Sequence, residues 1–438
     1  MPYALLILWL AWVAQAVLSA LAVRKFARRV GPERRDSFEA YRPRAAVVVP
    51  FKGLDADTPA ALDGLLHQDY PSYRVVFVVE SEDDPASPAL RDAMARHAHC
   101  NAALVVAGVA PPTQGQKVHN QLAALRWLEA QGDDAAVWVF ADSDAVPGPR
   151  WLADMVGPLS NEKSGATTGY RWLVPGGGGE AKPQAAGDVN SHSTPSHSAV
   201  PPSVPSCLRA SVPASSTLWS KLASVLNSSV ACLAGSRDGL NLVWGGSMAV
   251  RADFAREHGL VRRWTGAITD DYPVWRMVRD ASRRVYFVRS CLVPSRVDFT
   301  FATFRNFVYR QYLITRVYAP LVHAAAVLLT GLYTAGFVSA LVALAAAHGW
   351  LRWAAAGALA VVVVADQLRA ASRAAVVAKM FPWRAKGQLQ PALRLDRWGT
   401  PLWMAAHFLI TLSVVGRRSM TWRGVRYVVR GPNDVTRV

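Results

Sequence analysis

Three acidic clusters carry residue types that could work together on one substrate. Asp83-Asp84-Pro85 follows the run Tyr73–Glu80, Asp142-Ser143-Asp144 follows the apolar run Ala136–Ala141, and Thr269-Asp270-Asp271-Tyr272 comes later. A carboxylate pair at a strand end is a hard-oxygen site for Mg²⁺ or Mn²⁺, ions that commonly hold substrate phosphates. A further, isolated acid suits a reaction that takes a proton from a hydroxyl. Asp142 and Asp144 are two apart, so in a continuing strand they face one side; a solvated Asx turn through Ser143 is the alternative. Asp270 and Asp271 also suit the N-terminus of a helix over Tyr272–Arg279, where Asp270 can cap while Asp271 faces a cleft.

The elements that must position these acids run from about 44 to 290. Ala45–Val49, Tyr73–Glu80, Ala103–Ala107 and Ala136–Phe140 read as short buried strands, and Gln121–Ala130 as a helix between two of them. Such alternation predicts an α/β domain with a mostly parallel, Rossmann-like sheet. Ligands in such sheets gather at the carboxyl ends of the strands. Pro50-Phe51-Lys52, Glu80–Asp84 and Asp142–Asp144 all sit at such ends, so one crevice can hold them. Gly245-Gly246-Ser247 after a strand fits either close backbone approach or a bulge. No GxxxxGK[ST] loop occurs, which excludes a P-loop site. Residues 175–216, rich in Gly, Ser, Pro and Ala, read as a disordered insertion or a mobile lid, with His192 and His197 solvated.

Composition adds a membrane. Hydrophobic residues make up 52% and charged residues 18% of the 438 positions, and the apolar ones come in blocks. Tyr3–Val23 gives about 20 uncharged positions, enough to cross about 30 Å of hydrocarbon. Arg24, Lys25, Arg28, Arg29, Arg34 and Arg35 follow it, which places the main domain in the cytoplasm by the positive-inside rule. The net charge of +17 is concentrated beside apolar segments, at 24–35, 369–387 and 417–438, which fits anionic headgroups rather than nucleic acid. Phe301–Tyr318 mixes apolar positions at helical spacing with Arg305, Arg310 and Arg316, as an interfacial helix does. Leu321–Ala347 and Trp350–Gln367 are long enough to span, whereas Thr400–Gly416 is at the lower limit. Three full C-terminal spans would put the basic tail outside, so Thr400–Gly416 is re-entrant or interfacial, or the preceding block hides an extra turn. Cys100, Cys207, Cys232 and Cys291 lack CxxC spacing and read as isolated reduced thiols.

Taken in order, Lys52-Gly53-Leu54-Asp55, Asp69-Tyr70-Pro71-Ser72-Tyr73, Asp83-Asp84-Pro85-Ala86, Lys117-Val118-His119-Asn120, Asp142-Ser143-Asp144, Gly245-Gly246-Ser247, Asp270-Asp271-Tyr272 and Trp422-Arg423-Gly424 form a recognisable set. The chain resembles membrane-bound family-2 glycosyltransferases, most closely their ceramide glucosyltransferase-like branch. The resemblance implies a GT-A-like fold and a D, D, D, (Q/R)xxRW series, met here by Asp84, Asp142 and Asp271. The last motif departs from the pattern: Val317 stands where the family has Trp, Arg316 matches the motif arginine, and Arg310 or Gln311 is its partner.

That resemblance implies an enzyme. Asp142 and Asp144 would bind a divalent cation, Mg²⁺ or Mn²⁺. Lys52, Asp84, Lys117 and Asp142 would hold the nucleotide sugar. Asp271 would be the catalytic base, its site partly desolvated or near Asp270, with Arg310, Gln311 and Arg316 assisting catalysis. The expected reaction is inverting transfer of one sugar, from UDP-glucose or UDP-N-acetylglucosamine, to a ceramide-like or hopanoid-like lipid hydroxyl. A processive polysaccharide synthase, disfavoured by Val317, and a silent membrane scaffold are the other readings. The Arg- and Ala-rich composition fits the inner membrane of a high-GC bacterium. The expected organisation is an N-terminal span (1–23), a basic linker (24–43), a GT-A-like domain (44–300), an interfacial helix (301–319), a C-terminal membrane region of two to three spans (320–416) and a basic cytoplasmic tail (417–438).

Overall fold

The computed structural model describes residues 2–31, 38, 40–55, 57–176, 216–236, 241–385, 387–422 and 424–438. Arg34, Arg35, His192, His197, Cys207, Arg423 and nearly all of the 175–216 insertion lie outside the described residues.

The chain starts with helix α1 (Pro2–Arg29) and enters the α/β domain through β1 (Ala45–Pro50), α2 (Thr58–Leu66), β2 (Tyr73–Val79), α3 (Ala86–Arg96) and β3 (Asn101–Val106). It continues through α4 (Gln116–Ala130), β4 (Val137–Ala141), α5 (Trp151–Val156), β5 (Ser164–Pro175) and α6 (Leu218–Ala234). Next come β6 (Ser247–Arg251), α7 (Ala252–Glu257), α8 (Leu260–Trp264), α9 (Asp271–Asp280) and β7 (Arg284–Val297). The helices α10 (Phe301–Tyr318), α11 (Pro320–Ala346), α12 (Trp350–Met380), α13 (Pro382–Ala385), α14 (Gln390–Trp398) and α15 (Thr400–Ser413) follow. The chain ends in β8 (Ser419–Trp422), β9 (Val425–Gly431) and β10 (Asp434–Arg437).

The expected mostly parallel α/β sheet is present, seven-stranded in the order β3-β2-β1-β4-β6-β5-β7. The strands β3, β2, β1 and β4 run parallel, β6 is antiparallel to both neighbours, and β7 is parallel to β5. Its centre explains the sequence of its strands. A parallel strand covered by helices on both faces must be apolar at every position, and Ala45–Val49 and Val137–Ala141 are buried throughout. Val47 and Val49 join Phe77 and Val139 against α2, α3 and α5. Ala46 and Val48 join Val76, Val78 and Phe140 against α4, α7, α8 and α9.

Among the described residues, three helices are long and apolar enough to cross a membrane: α1, α11 and α12. They pack with α6, α10 and α15 around Trp9, Trp12, Phe304, Val308, Tyr333, Val362 and Trp403. The helix α12 does not end near Gln367 as its apolar run suggested. It continues through Arg369 and Arg373 because both guanidiniums are neutralised, Arg369 by Asp366 at 2.6 Å and Arg373 Nε by Asp396 of α14 at 2.7 Å. At 1.5 Å per residue the 14 residues of α15 reach about 21 Å, short of a bilayer core.

The basic tail is a small antiparallel sheet rather than a bare extension. Met420, Tyr427, Val429 and Val435 pack on Leu313, Ile314 and Tyr318 of α10 and on Ile268 of the α/β domain. The tail therefore lies against the domain, and two of the three candidate spans, α11 and α12, come between them in sequence. The helix α10 has its expected bounds, and the paired Thr300 and Thr303 side chains cap its first turn. Phe301, expected on its apolar face, is exposed, while Phe304 and Val308 are buried.

Candidate active site

The carboxyl end of β4 delivers Asp142 to a buried cluster of charges. Lys117, from the first turn of α4, places Nζ 2.7 Å from Asp142 Oδ1 and 3.0 Å from Asp270 Oδ2. Gln121, one turn further along α4, donates to Asp270 Oδ2 at 2.7 Å. The indole of Trp264 donates to the Asp270 carbonyl at 2.9 Å and fixes the loop. Asp270 thus gives its carboxylate to Lys117 and Gln121, and makes no side-chain cap on α9. The expected capping role is not seen, because the Lys117 ammonium takes the Asp270 carboxylate as its partner instead.

The two glycines of Gly245-Gly246 make this cluster possible. A Cβ on Gly245 would lie 2.4 Å from Asp270 Oδ1, and one on Gly246 would lie 2.4 Å from Asp142 Oδ2. They are sites of close approach by side-chain carboxylates, and the bulge reading is not needed to explain them.

The cluster sets its protonation states. Burial pushes Asp142 up, but Lys117, Arg171 and Arg310 overcome it and hold the carboxyl below its ordinary range. Burial alone would also lower the Lys117 pKa, but Asp142 and Asp270 raise it, so the ammonium stays charged. Asp271 behaves oppositely. Burial, reinforced by the Asp270 charge next to it, raises it to about 6, even though its Oδ1 accepts from Thr269 Oγ1 at 2.6 Å and from the Tyr272 amide at 2.8 Å. The two adjacent carboxylates thus have different partners: Asp270 is paired with Lys117, while Asp271 is held by Thr269 and the Tyr272 amide.

Arg171 of β5 lies 3.6 Å from Asp144 Oδ2, which also accepts from Ser295 Oγ at 3.3 Å. The Arg171 guanidinium stands over the rings of Trp244 and Phe307, each at 5.6 Å. Arg310 of α10 lies over Trp422 at 5.0 Å and is near enough to lower the Asp142 pKa. The Gln311 carbonyl accepts from Thr315 Oγ1 at 2.8 Å, and that hydroxyl lies 2.7 Å from Tyr272 OH. Since the Thr315 proton is spent on Gln311, Tyr272 donates, and α10 is tied to the residue after Asp271. Arg316 instead donates to the Arg417 carbonyl, joining α10 to the end of the α15 segment. Val317, like Tyr272, Trp422 and Val425, packs against the buried cluster that joins α10 to the tail sheet.

Lys52 and Asp84 occupy the ends of β1 and β2. Lys52 Nζ pairs with Glu80 at 3.0 Å, and Asp84 Oδ1 accepts the amides of Gly53 and Ala86, both at 2.9 Å. In the sheet order β2-β1-β4 the ends carrying Asp84 and Asp142 are two strand spacings apart, about 10 Å. The structure thus gathers Lys117, Asp142, Asp144, Arg310 and Asp271, sets Lys52 and Asp84 on the neighbouring strand ends, and engages Arg316 elsewhere. Asp270 was read only as a cap and as a neighbour of Asp271, and Gln121 and Arg171 were missed. Gly245-Gly246 was the available signal for Asp270; nothing in the sequence marks Arg171.

Residues 5–178 match the family model described as Glycosyl transferase family 21, and this match supports a glycosyltransferase. The chain is also similar to the mannosyltransferase PcManGT from Pyrobaculum calidifontis, solved with GDP-Man and Mn²⁺, at 16% identity over 92% of this chain and 99% of that one (TM-score 0.41). TarS 1-349 of S. aureus, solved with UDP, is similar at 11% identity over 88% of this chain and 96% of that one (TM-score 0.34). Glucosyl-3-phosphoglycerate synthase from Mycobacterium tuberculosis is similar at 13% identity over 63% and 80% (TM-score 0.33).

Proposed function

We propose that the chain is an inverting glycosyltransferase that moves a single sugar from a nucleotide sugar, UDP-glucose or UDP-N-acetylglucosamine, to a membrane-lipid hydroxyl on a ceramide-like or hopanoid-like acceptor. The observation that carries this reading is the joint placement of the Asp142–Lys117–Asp270 network and the raised Asp271 beside α10, the helix that leads into α11. The carboxylates of Asp142 and Asp144, hard-oxygen donors at one strand end with Gly246 leaving room for Asp142 Oδ2, fit Mg²⁺ or Mn²⁺. Such an ion would neutralise a leaving diphosphate.

The residues supply the rest. Asp271, ionised above about pH 6, takes the proton of the acceptor hydroxyl. The hydroxyl oxygen forms its bond to the anomeric carbon as the bond from that carbon to the diphosphate oxygen breaks, and the diphosphate leaves with the electron pair. Arg310 and Arg171 offset the charge developing on it. Lys117 keeps Asp142 ionised and holds Asp270 in place, Lys52 and Asp84 meet the nucleoside end, and Gln311 and Arg316 seat α10. Arg24, Lys25, Arg28 and Arg29 after the first apolar run put the domain on the cytoplasmic face of a bacterial inner membrane. Val317, small where a processive enzyme has Trp, favours release after one sugar. Mass spectrometry of lipids from host membranes with and without the gene tests this: a lipid heavier by one hexose or one N-acetylhexosamine is expected. Identical lipid profiles, with no UDP released from either donor by the purified chain, would sink it.

A further inference from the structure

At the opposite edge of the sheet, His67 meets two histidines of the turn between α3 and β3. His67 ends α2, His97 ends α3, and His99 leads into β3. They lie before the amino ends of β2 and β3, whereas the carboxylates lie past the carboxyl ends, a strand length of about 20 Å away. One ring nitrogen from each lies within 4.8 Å of the others. Asp63 joins them: its Oδ1 is 3.2 Å from His67 Nδ1 and 3.7 Å from His97 Nε2.

We propose that His67, His97 and His99 form a binding site for a borderline transition-metal dication, Zn²⁺ foremost, separate from the carboxylate cluster. The chemistry of the donors makes the selection. Imidazole suits Zn²⁺, Ni²⁺ and Cu²⁺, whereas Mg²⁺ demands oxygen. Ligation uses the neutral form of each ring. A tetrahedral zinc with bonds of about 2.0–2.1 Å needs nitrogens about 3.4 Å apart. Side-chain rotation closes the remaining gap, because the His67 and His99 rings are exposed. His67 Nδ1 faces Asp63, which leaves Nε2 to ligate and makes Asp63 the group that orients the ring. The bound ion would pin the ends of α2 and α3 to the entry of β3, stabilising that edge of the sheet. The proposal does not depend on the proposed transferase activity.

The test uses the untagged full chain in detergent micelles with excess Mg²⁺, so that hard-oxygen sites are already filled. Calorimetric titration with ZnCl₂ should show one saturable site per chain. His97→Ala and His99→Ala should each abolish it, and Asp63→Asn should weaken it about tenfold. Zinc should raise the melting temperature of the wild type and not of His99→Ala, while in EDTA the two melt alike. Zinc binding and thermal response unchanged in both histidine variants, or no saturable zinc heat in the wild type, would overturn the assignment.

Discussion

Replacing Lys117 by methionine keeps most of the side-chain volume and removes the ammonium shared by Asp142 and Asp270. Breaking a buried charge pair from one side costs about 3–5 kcal/mol, because the partner is left buried and uncompensated. Asp270 is almost fully enclosed and Asp142 about a fifth exposed, so the low end, about 3 kcal/mol, applies. For a domain of this size that lowers the melting temperature by roughly 6 °C. The pH dependence has a definite sign. Lys117 helps hold the folded Asp142 pKa below its unfolded value, so its contribution is present above the ordinary carboxylate range and lost as pH falls through the depressed value. The gap between wild type and Lys117→Met should therefore narrow in acid. Adding Asp270→Asn to Lys117→Met should recover about 1 kcal/mol, since it neutralises one orphaned carboxylate. Tryptophan-fluorescence melts of the four proteins in micelles provide the cycle. Strictly additive losses, or a Lys117→Met protein as stable as the wild type at neutral pH, would refute the shared-cation reading.

Other perturbations address the remaining geometry. Gly246→Ala forces a methyl to 2.4 Å from Asp142 Oδ2 and 2.3 Å from the Trp244 ring; a loss of about 1–3 kcal/mol is expected, with divalent-dependent nucleotide binding impaired by isothermal titration. The proposed base works ionised and titrates near 6, so kcat/KM should rise tenfold per pH unit below that value and level off above it, as a pH–rate profile will show. Arg310→Ala should lower kcat about 10²-fold while leaving acceptor KM nearly unchanged, measured by UDP release; equal effects on kcat and acceptor KM would point instead to a lipid-holding role.

Much of the frame was legible because it follows from local composition. The runs at 45–49 and 136–140 are apolar without alternation, which a strand buried on both faces requires, and acids directly after them had to lie at carboxyl ends. The partnerships were not legible, since they are long-range. Asp270 and Asp271 are adjacent in sequence, and only the approach of α4 decides that the first meets Lys117. Arg171 reaches Asp144 because β6 places β5 near β4 in the sheet, a pairing with no local signature. The length of α12 was hidden because Arg369 and Arg373 look like a helix-flanking basic run until Asp366 and Asp396 are placed beside them. The tail sheet had signals that its charge obscured: Met420 and Trp422 alternate with polar residues, and Gly424, at φ +80°, marks the hairpin turn. The three histidines converge only because α2 and α3 end at the same edge.

The most direct test of the carboxylate cluster as a transfer site is single-sugar transfer to a lipid acceptor by the purified full chain, compared with Asp142→Ala and Asp271→Asn. Both variants should retain the wild-type fold by circular dichroism. Asp271→Asn should bind donor normally and lose about 10²–10⁴-fold in kcat, whereas Asp142→Ala should lose divalent-dependent donor binding itself. Undiminished transfer by either variant would contradict the assignment of these acids to the reaction.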